Sequence, residues 1–567
     1  MYTQGIPGKA FVMAMVLAAF AVPSFSQTAV ETPRKESVSN DEVSILEQEV
    51  SEQQKQIQEL REAMIEMKQR LDGGRSNTAA ATPQAPSQGQ VAGATPVIPK
   101  SMMKSEMASD TFSAANPSLA PVASPQAIHS DETSPLQLRV GSAYITPVGF
   151  MDFTSVWRSK DGGSGIGTNF AGIPYGNIFQ NNLSEFRLSM QNSRIGFRVD
   201  AMVHDAHVIG YMESDFLGNN PGNVAVSSNS NTMRSRLYWV DARKGNWEVL
   251  GGQTWSLLTP GRSGISPLPG DLFFTQNIDV NYHLGLVWGR IPELRVVYHP
   301  SAKAAFAVAL DSPEQYVGGS AGGGLVTFPA ALASTYANEL NTGGNTLGVP
   351  NVAPDVIAKL AIDPSRRFHA EIGGVVREFK VWNPSTKTNP AATFSSVGGG
   401  GFLNANFELF KGFRVLTNNY VSDGGGRYIF GQAPDLIARA DGSLSPIHAD
   451  STASGLEYTN KNTLLYAYYG GLYVGRNVAI DTNGKPVGYG YRGSPAGQNR
   501  AIQEATFGVN QTLWKDAKYG ALNFMGQYSY LTRNPWAVPS GLPTNANLNM
   551  VFFNLRYSLP GSAPAMK

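Results

Sequence analysis

The chain has 567 residues, a formal net charge of +1, 42% hydrophobic and 10% aromatic side chains, 60 Gly and no Cys. That length holds several domains or one large barrel with appendages, and a soluble β-sandwich array would show a similar composition. Without Cys there is no disulfide, which suits an exported chain, and so small a charge excess without a basic-aromatic cluster gives no support to nucleic acid as a partner.

Residues 1–26 read as a secretory signal peptide. Lys9 supplies the positive end, residues 10–22 the apolar core, and Ser24 and Ser26 the small residues before a cut. The core is too short to span a bilayer, and no apolar run beyond residue 25 is long enough for a membrane helix.

Residues 40–72 carry a heptad stripe: Val43, Leu46, Val50, Gln53, Ile57, Leu60, Met64, Met67 and Leu71. Asn40 or Asp41 caps its start and Gly73-Gly74 ends it. Such a helix is roughly 43 Å long. The stripe fits a coiled coil or a single amphipathic helix packed on another domain. Residues 73–135 favour the first. They are rich in Ala, Ser, Pro, Thr and Gln without a periodic stripe, and so read as a disordered linker offering the helix little to pack on. The oligomer number stays open, because Gln53 and the Met residues blur the seam.

From Leu136 onward the pattern is alternation. Residues 194–203 set Ile195, Phe197, Val199 and Ala201 against Arg194, Arg198 and Asp200. A turn at 204–206 leads to 207–216, with Glu213 and Asp215 on one face. Residues 232–242 and 247–257 follow, joined by Arg243-Lys244-Gly245-Asn246, and near the end 506–514 and 519–531 flank Lys515-Asp516-Ala517-Lys518. In 549–559 Val551, Phe553, Leu555, Tyr557 and Leu559 share a face opposite Asn554 and Arg556. Two-faced strands over some 424 residues predict an all-β transmembrane barrel over 136–560, apolar outside and wet inside, of about 16 strands (14–18 at roughly 25–30 residues per strand and connection). Long loops are expected at 217–231, 258–285, 311–352, 382–398, 431–455 and 480–500. Trp157, Trp247, Trp514, Trp536, Tyr519 and Tyr557 lie near strand ends, where interfacial girdles need them.

Charge divides along the chain: residues 1–135 hold 10 Lys+Arg against 15 Asp+Glu, and residues 136–567 hold 34 against 28, 22 of the cations being Arg. Arg187, Arg194, Arg198, Arg234, Arg236, Arg377 and Arg427 fall in an inward phase or in the motifs given next, with Glu185, Glu213 and Asp215 similarly placed. Inward Arg lowers the barrier to anions, and the carboxylates turn a positive plug into a transverse field. The same side chains would also serve as salt bridges that brace the wall. The Gly/Pro-rich stretch 256–281 fits a constriction loop contributing Arg262 and Asp271, or an ordinary surface loop. Residues 316–352 read as a mobile loop or an extracellular lid.

Several motifs occur in a telling order: Asn192-Ser193-Arg194-Ile195-Gly196-Phe197-Arg198, Glu213-Ser214-Asp215-Phe216, Arg234-Ser235-Arg236-Leu237-Tyr238, Gly252-Gln253-Thr254-Trp255-Ser256, Gly374-Val375-Val376-Arg377-Glu378 and Asp423-Gly424-Gly425-Gly426-Arg427-Tyr428-Ile429. In these the chain resembles DcaP-like outer-membrane porins and acidobacterial-type relatives. The resemblance implies a homotrimer of 16-stranded barrels, an N-terminal periplasmic coiled coil, and passage of small organic anions such as dicarboxylates. One departure is the end of the chain, which runs past Leu559 to Lys567 instead of stopping on an aromatic residue.

The reading is therefore a bacterial outer-membrane porin: a passive channel, not an enzyme, with no cofactor and no metal. Its expected partners are outer-membrane lipid, small anionic solutes, copies of itself, and peptidoglycan as a candidate contact of the coiled coil. None of the seven His stands in a metal-ligand or nucleophile context. The rival is a barrel-anchored structural or adhesive surface protein with a coiled-coil stalk.

Overall fold

The structure is a computed structural model. It describes residues 136–560 apart from 269–271, 278–281, 320–322, 343–348 and 386–389, together with Thr111–Phe112 and Ala563–Pro564. The expected signal peptide and coiled coil, Asp271, and all of the linker except Thr111–Phe112 lie outside the described residues.

Sixteen strands run in sequence order around a closed, wholly antiparallel barrel. They are β1 (Ala143–Arg158), β2 (Arg194–Val203), β3 (Ala206–Asp215), β4 (Arg234–Lys244), β5 (Trp247–Trp255), β6 (Arg290–Ser301), β7 (Ala304–Asp311) and β8 (Asp355–Ser365). They continue as β9 (Phe368–Asn383), β10 (Ala392–Phe410), β11 (Phe413–Asp423), β12 (His448–Asn460), β13 (Thr463–Val474), β14 (Asn499–Asp516), β15 (Gly520–Pro535) and β16 (Ala546–Ser558). Closure comes from β16 on β1, with Leu555 opposite Phe153 and Tyr557 opposite Met151. Two short segments join the wall without adding to that count. Leu138–Val140 folds back on the start of β1, and Glu185–Ser189 prolongs the line of β2 beside the end of β1.

The two rims differ. At one, seven strand pairs are joined by two or three residues: 204–205, 245–246, 302–303, 366–367, 411–412, 461–462 and 517–519. Left-handed backbone closes several of these turns, at His204, Gly245, Gly412 and Lys461. At the other rim lie the long connections, including 216–233, 256–289, 312–354, 424–447 and 475–498, close to five of the six expected loops. Three details depart from expectation. Residues 159–184 form a further long loop. β9 and β10 extend to Asn383 and from Ala392, well into the loop expected at 382–398. β12 begins at His448, inside the loop expected at 431–455. The polar outward residues Thr393, Ser395 and Asp450 hide that strand character, because alternation is legible only where one face is apolar.

Inward and outward faces alternate as the pleat demands. On β16 Asn554 and Arg556 are buried inside, while Phe553 and Leu555 look out. On β15 Tyr528 and Tyr530 look out, while Gln527 and Ser529 are buried. Trp157, Trp247, Trp514 and Tyr519 are exposed near strand ends. Trp536 differs: its indole donates to the Val474 carbonyl (2.8 Å) and lies 4.3 Å from the Arg476 guanidinium.

The loop rim is roofed. Loops 312–354 and 424–447 are tied where the Tyr316 hydroxyl donates to the Gly431 carbonyl (2.8 Å), and 312–354 and 475–498 by paired backbone bonds between Thr327 and Gly488. A short helix, α1 (Ala333–Glu339), buries Tyr336 in this roof. A large apolar cluster, including Phe170, Tyr282, Trp288, Tyr336, Tyr428 and Ile437, packs these loops together.

Candidate channel lining

The β2–β4 wall carries an ion-pair ladder. Inward alternation puts Glu213 and Asp215 on β3 between Arg194 on β2 and Arg234 and Arg236 on β4. Arg236 donates to Glu213 (2.7 Å) and to Asp215 (2.9 Å). Arg234 holds Asp215 through two bonds of 3.0 and 2.7 Å, and Arg194 stands 3.7 Å from Glu213. Three guanidinium groups thus share two carboxylates. Arg234 is the member that reaches solvent, with 35% of its side chain exposed.

The remaining inward charges fall into separate groups. Arg198 lies two turns of the pleat away and forms a buried bidentate pair with Asp200 (2.8 and 2.7 Å), whose carboxylate also meets His207 at 3.1 Å. Arg187 pairs with Glu185 (2.8 Å), and Glu185 also accepts from Arg158 (2.8 Å). Arg158 in turn donates to the carbonyls of Gly165, Ile166 and Gly167, drawing loop 159–184 inward.

Arg377 and Arg427 meet under the roof. Arg377 is buried and bonds Asp355 (2.9 Å) and Asp435 (2.8 Å), with its other donors on the carbonyls of Gly424 and Glu314. Arg427 stands 3.5 Å from Asp355, and its backbone N–H donates to Asp435 (2.8 Å). Burial holds the Asp435 carboxyl above its ordinary range, opposed by the Arg377 charge. One wall strand is thereby fastened to two loops.

Segment 256–289 folds into the barrel. It leaves β5, and in a cylinder of sixteen strands the opposite wall is β12–β14. Arg262 reaches that wall and clasps Glu457 of β12 with both terminal nitrogens (2.9 and 2.5 Å). Lys359 donates to the Thr259 carbonyl (2.7 Å), and the N–H of Gly261 to Glu371 (3.0 Å). Further along, the N–H of Gln276 donates to Gln527 (2.7 Å) and that of Leu284 to Glu504 (3.1 Å). Gly285, at φ +83°, lies so close to the wall that a Cβ would stand 2.0 Å from the Thr452 carbonyl. Only glycine lets the backbone approach that far.

Sequence reading passed over Glu457, Glu371, Glu504, Lys359 and Arg158. For Glu457 the signal was available, since outward Leu456 and Tyr458 place it inward. Asp435 sits in a loop without period and gave none. Among the described residues no three His, Asp or Glu side chains form a group that could hold a metal ion.

No protein-family model and no curated protein matches the chain. Among solved structures it is similar to the outer membrane channel DcaP of Acinetobacter baumannii, at 16% identity and a TM-score of 0.53, over 74% of this chain and 99% of that one. OmpT of Vibrio cholerae is similar at 11% identity and a TM-score of 0.40, over 74% and 99% of the two chains. Salmonella typhi OmpF, in complex with daunomycin, is similar at 9% identity and 0.40, over 74% and 100%. The likeness to DcaP shows a shared fold, the closed sixteen-stranded barrel.

Proposed function

We propose that the protein is a passive outer-membrane channel for small hydrophilic solutes, with a modest preference for organic anions, dicarboxylates among them, and that it works as a homotrimer. The observation that carries this reading is a closed barrel with polar and charged side chains inward, apolar ones outward, and segment 256–289 laid across its interior. A closed antiparallel wall satisfies its own backbone in hydrocarbon, which an open sheet cannot do.

Selectivity follows from the distribution of charge. Nearly every inward cation is paired, so no strong positive plug forms. Arg234 of the β2–β4 ladder meets water, and the field between it and the carboxylates at Glu371, Glu457 and Glu504 runs across the barrel. Arg262 acts by pinning the crossing segment to the far wall, Arg377 and Arg427 by holding the roof, and Arg187 and Arg198 by bracing the wall.

Orientation follows from the rims. In outer-membrane barrels short turns face the periplasm. Both ends of the barrel, Ala143 and Ser558, lie at the tight-turn rim, so the preceding residues, with the coiled coil expected at 40–72, enter from the periplasm, where peptidoglycan is within their reach. The test is electrical. Purified protein in a planar bilayer between KCl solutions of unequal concentration should give stepwise currents and a reversal potential of the sign that marks chloride as the faster ion. Absence of steps sinks the channel, and a cation-marking sign sinks the selectivity.

A further inference from the structure

The tight-turn rim is dominated by charge of one sign. Of its seven turns, the six from β4–β5 round to β14–β15 each bear or adjoin an exposed cation: Lys244, Lys303, Arg367, Lys411, Lys461 and Lys518. The carboxylates at this rim are fewer and already engaged. Asp205 pairs with Lys244 (2.9 Å), Glu408 accepts from the Gly412 N–H (2.8 Å), and Asp516 accepts from the N–H groups of Lys518 and Tyr519 (2.8 and 3.1 Å). Asp363 is held from inside by His369 (2.9 Å) and the Gly264 N–H (2.9 Å). The loop rim mixes the signs, with exposed Lys380 and Arg492 beside exposed Asp423 and Asp441.

Turn geometry does not select these side chains. Lys461 has φ +51°, a left-handed conformation that favours Gly or Asn, so lysine there works against the backbone. Next to the turns the outward wall is aromatic: Trp247, Phe410, Tyr458, Trp514 and Tyr519 are exposed, the residue types that settle at a membrane interface. Lys518 lies over the Tyr519 ring, its Nζ 5.2 Å from the centroid, which keeps that ammonium on the lipid side. Cations one step beyond an aromatic girdle stand at the depth of lipid headgroups, their apolar stems lying along the girdle. A compact partner would meet one sector of such a rim. The cations continue over six consecutive turns, and a surface that reaches all of them is the leaflet encircling the barrel.

We infer that the tight-turn rim gathers anionic phospholipid, the turn cations drawing headgroups of net negative charge around the barrel in preference to zwitterionic ones. This rests on the membrane-barrel reading above, and its test separates the two. The full chain is reconstituted into phosphatidylcholine vesicles holding a trace of spin-labelled phosphatidylglycerol or spin-labelled phosphatidylcholine. Electron spin resonance then gives the fraction of each label immobilised at the protein surface. Two variants are compared. One carries Lys411→Gln, Lys461→Gln and Lys518→Gln at exposed turn tips; the other carries Lys380→Gln, Lys485→Gln and Arg492→Gln at exposed places on the loop rim.

The expected result is a several-fold preference for the phosphatidylglycerol label that fades between about 0.1 M and about 1 M salt. The turn variant should lose most of it, and the loop variant should keep it. Equal immobilisation of the two labels overturns the inference, as does a preference that survives in the turn variant; in both cases the immobilised lipid leaves the membrane barrel standing. Immobilisation of neither label overturns both.

Discussion

The β2–β4 ladder and the Arg377 clamp use the same chemistry for different ends. Each sets guanidinium groups between two carboxylates. In the ladder three cations share Glu213 and Asp215, and Arg234 opens to water. In the clamp Arg377 is fully enclosed, with Asp355 and Asp435 beside it and two loop carbonyls on its remaining donors. Solvent contact separates the two: Arg234 of the ladder has 35% of its side chain exposed, whereas Arg377 is enclosed and ties β9 to two loops.

The largest effect should come from the clamp. Arg377→Ala leaves Asp355 and Asp435 buried without that partner, and breaking a buried pair costs about 3–5 kcal/mol. Thermal unfolding in detergent should begin at clearly lower temperature, and proteolysis should cut 424–447 in otherwise intact barrels. An unchanged melting profile and digest would mean the roof does not depend on it. Second in size is Arg262→Ala, which releases segment 256–289 from Glu457. Single-channel conductance should rise and the open-channel current should become noisier. A conductance equal to that of the unaltered protein would place the narrowest point elsewhere.

Smaller shifts should come from the ladder. Arg234→Ala removes the ladder's most water-exposed cation, so under the proposed reading the reversal potential should move toward the cation side while melting changes little. Asp215→Asn should move it the other way. Both shifts should shrink between about 0.1 M and about 1 M salt, as the screening length falls from about 10 Å to about 3 Å. Equal shifts at both concentrations would argue that the two substitutions change shape instead of field.

Much of the wall was legible because a pleated strand with one apolar face repeats every two residues. Arg194–Val203 has the bounds its alternation predicts, and the faces of the last two strands fall as Phe553 against Asn554 and Tyr528 against Gln527 require. The inward phase of Arg194, Arg198, Glu213 and Asp215 follows from the same rule. The pairings do not. Arg198 sits with Asp200 and not with the ladder, because strand length separates them. The loop contacts were illegible for a different reason. Arg533 donates to the Ile173 carbonyl and stacks on Tyr175 at 4.2 Å, a union of residues 360 positions apart that no local period encodes. Asp435 depends likewise on a strand some sixty residues upstream.

The most direct trial of the account is the reversal potential of the purified protein in a planar bilayer, measured beside that of Arg234→Ala. The proposed channel, with Arg234 open to water on β2–β4, predicts discrete openings, chloride moving faster than potassium, and a visible loss of that preference in the variant. A silent membrane, or two proteins that both favour potassium, would contradict it.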